Sequence, residues 1–427
     1  MILIDTRRVL TYRHCVSKKK ILFLSDDIRM HTGVSRITNS IIINTLGTFD
    51  WVQYAVNPNS TTQNIVDVSK SASNISKIRD ASLLLYETKT YENLNLLYQV
   101  LDREEPDAII HMTDPHRWNW LYQHENYIRK NIPLLYYHVW DNEPFPKFLK
   151  NVYDSCDWIG CISKLTEDCV NNVSPEHTSV TYIPHGVDTK KFFKQDSSIV
   201  ANNKKRILGR PYDYVIFCNN SNIQRKQLTN LIEGYADFVK NTSIPKNKIL
   251  LIIHTNIENK LGCDLDTLVD DLYNDLPVKF STSKLSDEQL NDLYNVSDVT
   301  VNVSSCEGFG LSTLESVASN TPIIINYTGG LKDQYCQDHC IKIDSSIRLL
   351  SGTQMCPYIY SDICDPTQIS NALQEMYDSL KNKKVKNRFL TKNRFTETQM
   401  IESIKQCILQ NIENHNPTQS FRFLEIK

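Results

Sequence analysis

Two glutamates eight positions apart, Glu307 and Glu315, bracket a short glycine-containing stretch, Gly308-Phe309-Gly310-Leu311-Ser312. An apolar β-branched run, DVTVNV (298–303), leads into this stretch, and an amphipathic helical pattern follows and exits into a second apolar run, TPIIIN (321–326). Glycines at a strand-to-helix turn let a ligand approach the backbone closely. The first turn of the helix then offers unpaired N–H groups to a phosphate. Glu307 falls at the lip of the strand and Glu315 about a turn and a half into the helix. Carboxylates so placed can accept hydrogen bonds from neighbouring hydroxyls, as a ribose or hexose requires. Taken alone, such a pair more often decorates a solvated helix face, because exposed glutamate is common.

Other residues could serve the same chemistry. Arg225 and Lys226 lie in a polar loop after the apolar run YVIFCN (214–219) and before the helical pattern LTNLIEGYADFVK. Adjacent cations over a cleft suit a diphosphate that gains charge as it departs; a solvated basic loop would read the same way. His138 ends the run IPLLYYHV (132–139), and Asp141 follows in a proline-bounded loop. A histidine there is more often packed than reactive. Gly33 sits alone in the loop after ILFLS (21–25), so a full GxGxxG is absent and a dinucleotide cofactor is disfavoured. Gly33 and the amides after it remain candidates for phosphate contact. In SVTYIPHGVDTKKFF (179–193), Gly186 makes a tight turn, Asp188 can cap the next turn, and His185 is a cleft candidate. Trp118, Trp120 and Trp140 could stack on an acceptor sugar, core packing being their commoner fate, and His111 and Asp114 are further acceptor-side candidates.

Positioning these residues falls to short apolar runs that alternate with longer amphipathic stretches, a pattern of parallel sheets covered by helices. The first half offers ILFLS, WVQYAV (51–56), DAIIHM (107–112), IPLLYYHV, DWIGCI (157–162) and VTYIP (180–184). The second half restarts with YVIFCN, ILLIIHT (249–255), DVTVNV and TPIIIN. Two doubly wound halves follow from this rhythm, and in such sheets ligands bind outside the carboxyl ends of the strands. A boundary is expected in the polar stretch from Gln195 to Pro211, and a terminal helix over about 397–412 before a polar tail.

Composition narrows the class. The chain has 427 residues, more than one core usually organises, with 41% hydrophobic and 22% charged residues. Forty-seven Lys and Arg nearly balance 49 Asp and Glu, which argues against a dedicated nucleic-acid binder. The twelve cysteines are scattered, several inside apolar runs, as reduced core thiols would be. Cys336, His339 and Cys340, with Cys356 and Cys364 beyond, match no common zinc spacing, so no metal is expected. No stretch reads as a signal peptide or a transmembrane segment, so a cytoplasmic protein is expected, with peripheral membrane contact left open.

The order of these motifs resembles the retaining glycosyltransferases of the GT-B fold, family four, also described as glycosyl transferases group 1. The resemblance rests on E-G-F-G-L-x-x-x-E from Glu307 to Glu315 with its Ala318 and Pro322 exit, the Arg225-Lys226 loop, I-P-H-G-V-D over 183–188, and His138. It runs from about Lys20 to about Ile404. It implies an α/β molecule of two Rossmann-like doubly wound domains facing across a cleft: 1–195 on the acceptor side, 205–395 for the donor, and 396–427 a helix crossing back to the first domain plus a tail. It implies further that Glu307 and His138 contact the donor sugar and Glu315 the nucleotide ribose. Gly308, Phe309, Gly310, Leu311 and Ser312 would line the diphosphate and sugar, with Gly33 and Gly186 as additional donor contacts, and Arg225 and Lys226 would neutralise the leaving diphosphate. The family's commonest form has an arginine where this chain has Ser221, an asparagine at His185, and two adjacent glycines near Gly33; Arg225 would substitute for the first. The implied reaction moves a hexosyl group from a UDP- or GDP-sugar to an acceptor with retention of configuration and without metal or cofactor, the nucleotide sugar being the co-substrate. The acceptor stays open among glycan, lipid and protein. The rival readings are a nucleotide-sugar epimerase of the same fold and a catalytically silent binding or scaffold subunit.

Overall fold

The structure, a computed structural model, describes residues 18–60, 64–177, 179–386 and 395–416. The leading segment and the end of the expected tail lie outside those residues. Among them, the first sheet holds β1 (Lys19–Asp26), β2 (Phe49–Val56), β3 (Ile65–Asp67), β4 (Leu83–Thr88), β5 (Ala108–Thr113), β6 (Leu134–His138), β7 (Trp158–Cys161) and β8 (Val180–Tyr182). Their spatial order is β3-β4-β2-β1-β5-β6-β7-β8. All neighbours pair in parallel except β3 with β4. The second sheet holds β9 (Tyr214–Asn219), β10 (Ile249–His254), β11 (Val278–Ser281), β12 (Val299–Asn302), β13 (Ile323–Asn326) and β14 (Cys340–Ile343), in the order β11-β10-β9-β12-β13-β14 and parallel throughout.

Central strands are buried on both faces, which explains why their sequences are apolar runs rather than alternations. The strands missing from the sequence reading are mostly marginal ones. β11 is a half-exposed edge and β3 is three residues long, so neither carries a continuous apolar signal. A hairpin, β15 (Ile347–Ser351) with β16 (Ile359–Ile363), was not foreseen either, and every residue of β15 is exposed.

The order reverses at β1/β5 in the first sheet and at β9/β12 in the second. These are the switch points where loops part and open a crevice. Helix Gly33–Thr45 follows β1, and helix Leu311–Ala318 follows β12, so the two glycine-bearing turns emerge at the two crevices. They face one another: a Cβ added at Gly33 would lie 3.7 Å from Leu311 Cδ1.

Apolar packing joins the two halves. The Phe309 ring stands edge-on to His185 and to Phe395, and Phe192 packs against Tyr294. The segment from Phe395 crosses back to the first half: Val187 N–H donates to Phe395 O at 2.9 Å and Glu397 N–H to Val187 O at 3.0 Å. Helix Glu397–Glu413 then buries Met400, Ile401, Ile404 and Ile408 in the same core cluster as Ile37 and Ile41 of helix Gly33–Thr45. Gly186 is required for this crossing, because a Cβ there would lie 2.3 Å from the Thr396 carbonyl carbon and oxygen.

Candidate functional site

The loop after β12 is held from three sides. Arg225 O accepts from Ser305 N–H at 2.7 Å, and Gln227 Nε2 donates to Val303 O at 2.6 Å, so the loop after β9 is laced to it. Glu307 O accepts from Gly330 N–H at 2.7 Å, where a Cβ on Gly330 would stand 2.0 Å from Gly308 O. Gln334 Nε2 donates to Phe309 O at 2.6 Å and to Gly310 O at 2.8 Å. Gly310, at φ +92°, turns the chain into helix Leu311–Ala318, whose N-terminus no side chain caps. Left-handed backbone is nearly free for glycine alone, which explains the residue's identity here.

This lacing brings Arg225, Lys226 and Glu307 together. Lys226 Nζ pairs directly with Glu307 Oε2, Arg225 lies 3.6 Å from the same oxygen, and its guanidinium donates to Cys306 O at 2.9 Å. From the first half, Asp141 completes the group, 3.8 Å from Arg225, while its backbone oxygen accepts from Glu307 N–H. Its loop is anchored to the second half: Asn142 Nδ2 donates to Asp362 Oδ2 at 2.9 Å, and Arg348 bridges Asp362 and Glu143. Burial pushes the Glu307 carboxyl upward, but Lys226 and Arg225 outweigh it and hold Glu307 below the ordinary glutamate range. Burial raises Asp141, with Arg225 opposing and Asp114 and Glu307 adding, and it pulls the Lys226 ammonium down. Two cations against clustered carboxylates, beside an uncapped helix start, form a site that an incoming anion can reorganise.

Glu315 is buried one layer away. Its Oε2 accepts from Tyr294 OH at 2.8 Å, Tyr294 OH in turn accepts from Asn219 Nδ2 at 3.0 Å, and its Oε1 pairs with Arg36. Leu311 and Ser312 are half-buried at the helix start.

Several expected residues stand elsewhere. His138 is fully buried, between the rings of Tyr136 and Tyr153, with Nε2 3.2 Å from Tyr153 OH. Burial pulls it down to about 3, so the ring is neutral in the first-half core rather than turned into the charged group. The physical reason is strand alternation, which aims His138 to the same side as Tyr136. Gly186 serves the return of the C-terminal segment rather than the charged group. His111 stacks on Tyr136 at 4.4 Å, and Trp118, Trp120 and Trp140 are buried, so none offers a face to an acceptor here. Phe309 turns its ring into packing between the halves, leaving its backbone to the loop. Asp114 is partly exposed, 3.7 Å from Arg117. Sequence reasoning missed Arg36, Tyr294, Gln334 and the Gly329-Gly330 pair; only that glycine pair left a signal, in Tyr327-Thr328-Gly329-Gly330 after an apolar run. Among the described residues no group of three or more His, Cys, Asp or Glu side chains is arranged to hold a metal ion, the Cys336 region included.

Residues 201–343 match the family described as glycosyl transferases group 1, and these are the residues that build the Arg225–Lys226–Glu307 group. The likeness to that family covers about a third of the chain. Around those residues the whole described chain follows known GT-B architectures. Sucrose-phosphate synthase from Thermosynechococcus elongatus superposes with a TM-score of 0.70 at 15% identity, over 92% of this chain and 99% of that one. The Anabaena protein Alr3699/HepE, in complex with UDP and glucose, gives 0.66 at 12% identity, over 92% and 100%. By sequence, the mannosylfructose-phosphate synthase of Agrobacterium fabrum is 24% identical over 188 residues, 42% of this chain and 40% of that protein. The alpha-monoglucosyldiacylglycerol synthase of Acholeplasma laidlawii is 27% identical over 163 residues, 34% of this chain and 36% of that protein. The chain thus spans two fifths or less of the curated relatives it matches. The glycine turn, the cation loop and both glutamates fall within the matched residues.

Proposed function

We propose that this protein is a glycosyltransferase that moves a hexosyl group from a nucleoside-diphosphate sugar to an acceptor hydroxyl with retention of configuration and without a metal ion. The observation that carries the reading is the convergence of Arg225 and Lys226 on Glu307, four residues before the uncapped helix Leu311–Ala318. A diphosphate placed there would meet two cations and free backbone N–H groups, the donors that a leaving group of growing charge requires. Glu307, released from Lys226 by the diphosphate, would accept sugar hydroxyls, and Glu315 would accept a ribose hydroxyl. The acceptor oxygen forms its bond to the sugar's anomeric carbon as the bond to the phosphate oxygen breaks. The acceptor proton passes to that departing oxygen, so no strong general base is needed. The buried, free thiols among the described residues support work in a reducing compartment such as the cytoplasm. No described helix is long and apolar enough to cross a membrane.

A panel of UDP- and GDP-sugars, scored by thermal shift and by release of the nucleoside diphosphate, tests the reading. The Anabaena neighbour's UDP makes uridine donors the first to try. One donor is expected to stabilise the protein and be turned over equally well with a chelator present, with NMR of the product showing the donor's anomeric configuration. No turnover, with Glu307→Ala leaving nucleotide binding unchanged, would favour a silent binding subunit instead.

A further inference from the structure

The carboxylate read as the ribose acceptor is already engaged, and by the other half of the molecule. Arg36, one turn into helix Gly33–Thr45, pairs with Glu315 Oε1 and reaches within 3.8 Å of Asp287 Oδ1. Asp287 also pairs with Lys191 at 3.0 Å, and the Arg36 guanidinium lies 5.4 Å from the Phe192 ring. Glu315 Oε2 is committed to Tyr294 OH, which Asn219 holds from within the second half. Each Glu315 oxygen thus already has a partner, Tyr294 on Oε2 and Arg36 on Oε1. A buried carboxylate needs a counter-charge or hydrogen-bond donors, and Arg36 and Tyr294 supply them to Glu315.

We propose that Arg36 is a latch that clasps the two halves across the cleft and competes with the donor's ribose for Glu315. The inference rests on the donor reading above and adds a conformational step to it. Before the ribose hydroxyl reaches Glu315 Oε1, Arg36 must swing off it, loosening the clasp to Asp287 as well. The cost of release lowers nucleotide affinity by the fraction of molecules that are latched. A ligand without a ribose meets the charged group around Lys226 but has no hydroxyl for Glu315, so Arg36 does not compete with it.

The test is calorimetric titration of UDP, GDP and inorganic pyrophosphate into wild type, Arg36→Gln and Arg36→Lys at pH 8. For the nucleotide that wild type binds, Arg36→Gln is expected to lower Kd roughly three- to fivefold, the scale of a half-exposed ion pair. Arg36→Lys is expected to fall between the two, and pyrophosphate is expected to gain nothing. Equal or weaker nucleotide binding by Arg36→Gln, or an equal gain for pyrophosphate, would overturn the latch while leaving the donor reading in place. Should neither nucleotide bind any of the three proteins, the donor reading itself fails and takes the latch with it.

Discussion

Lys226 and Glu307 form the tightest test of the site because each is the other's main counter-charge. Lys226→Ala is expected to cut turnover by about a hundredfold or more, as loss of one preorganised donor to developing charge does. The folded state should survive, since Arg225 stays near the Glu307 carboxylate, with a stability loss of about 1–3 kcal/mol. Steady-state kinetics beside urea denaturation separate the two effects; a large loss of stability with unchanged turnover would remove Lys226 from the chemistry. The pH dependence has a definite sign. Glu307 titrates lower in the folded chain than the ordinary glutamate value of 4.5, so its contribution is present above that value and is lost as pH falls through the lower folded one. Asp141, Asp114 and Glu315 are shifted upward and bind protons more readily folded than unfolded, which opposes the trend. The clean observable is therefore a difference: the melting-temperature gap between wild type and Glu307→Gln should shrink as pH falls below about 4.5.

Among the elements, the turn over 183–188 illustrates how a motif tied to one role can serve another. Its glycine, Gly186, admits the backbone of Thr396, and the neighbouring Val187 pairs with the returning strand-like segment on both sides. Gly186→Val is expected to push that segment off. Hydrogen exchange should then speed up across helix Glu397–Glu413 while the second sheet keeps its protection. Unchanged exchange in that helix would show that the crossing tolerates a side chain. The helix Leu311–Ala318 depends on its own turn in a different manner, through the left-handed Gly310 and the two carbonyls that Gln334 fixes.

For the whole molecule, the C-terminal helix acts as a strap between the halves. Phe395, Met400, Ile401, Ile404 and Ile408 are buried, and Ile37 and Ile41 lie in the same cluster. At about 1.5–3 kcal/mol for each fully buried side chain, their removal costs on the order of 10 kcal/mol, comparable to the whole stability of a typical domain. A chain ended at residue 394 is expected to bind a hydrophobic dye and to lose a single cooperative melting transition. If it melted like the full chain, the helix would be an ornament rather than a strap.

The sequence by itself determined the α/β class, the two successive sheets and the chain order of the cation loop, the glycine turn and the two glutamates. Those features are local: buried parallel strands are written as apolar runs, and a strand-glycine-helix turn needs its glycine wherever it lies. Only the tertiary structure decided which side of its strand His138 takes, that Gly186 yields to Thr396, and that Arg36, 279 positions before Glu315, holds that carboxylate. Strand alternation, backbone crossings and ion pairs between halves depend on how distant segments are brought together, and single residues such as Arg36 carry no pattern that announces a partner so far along the chain.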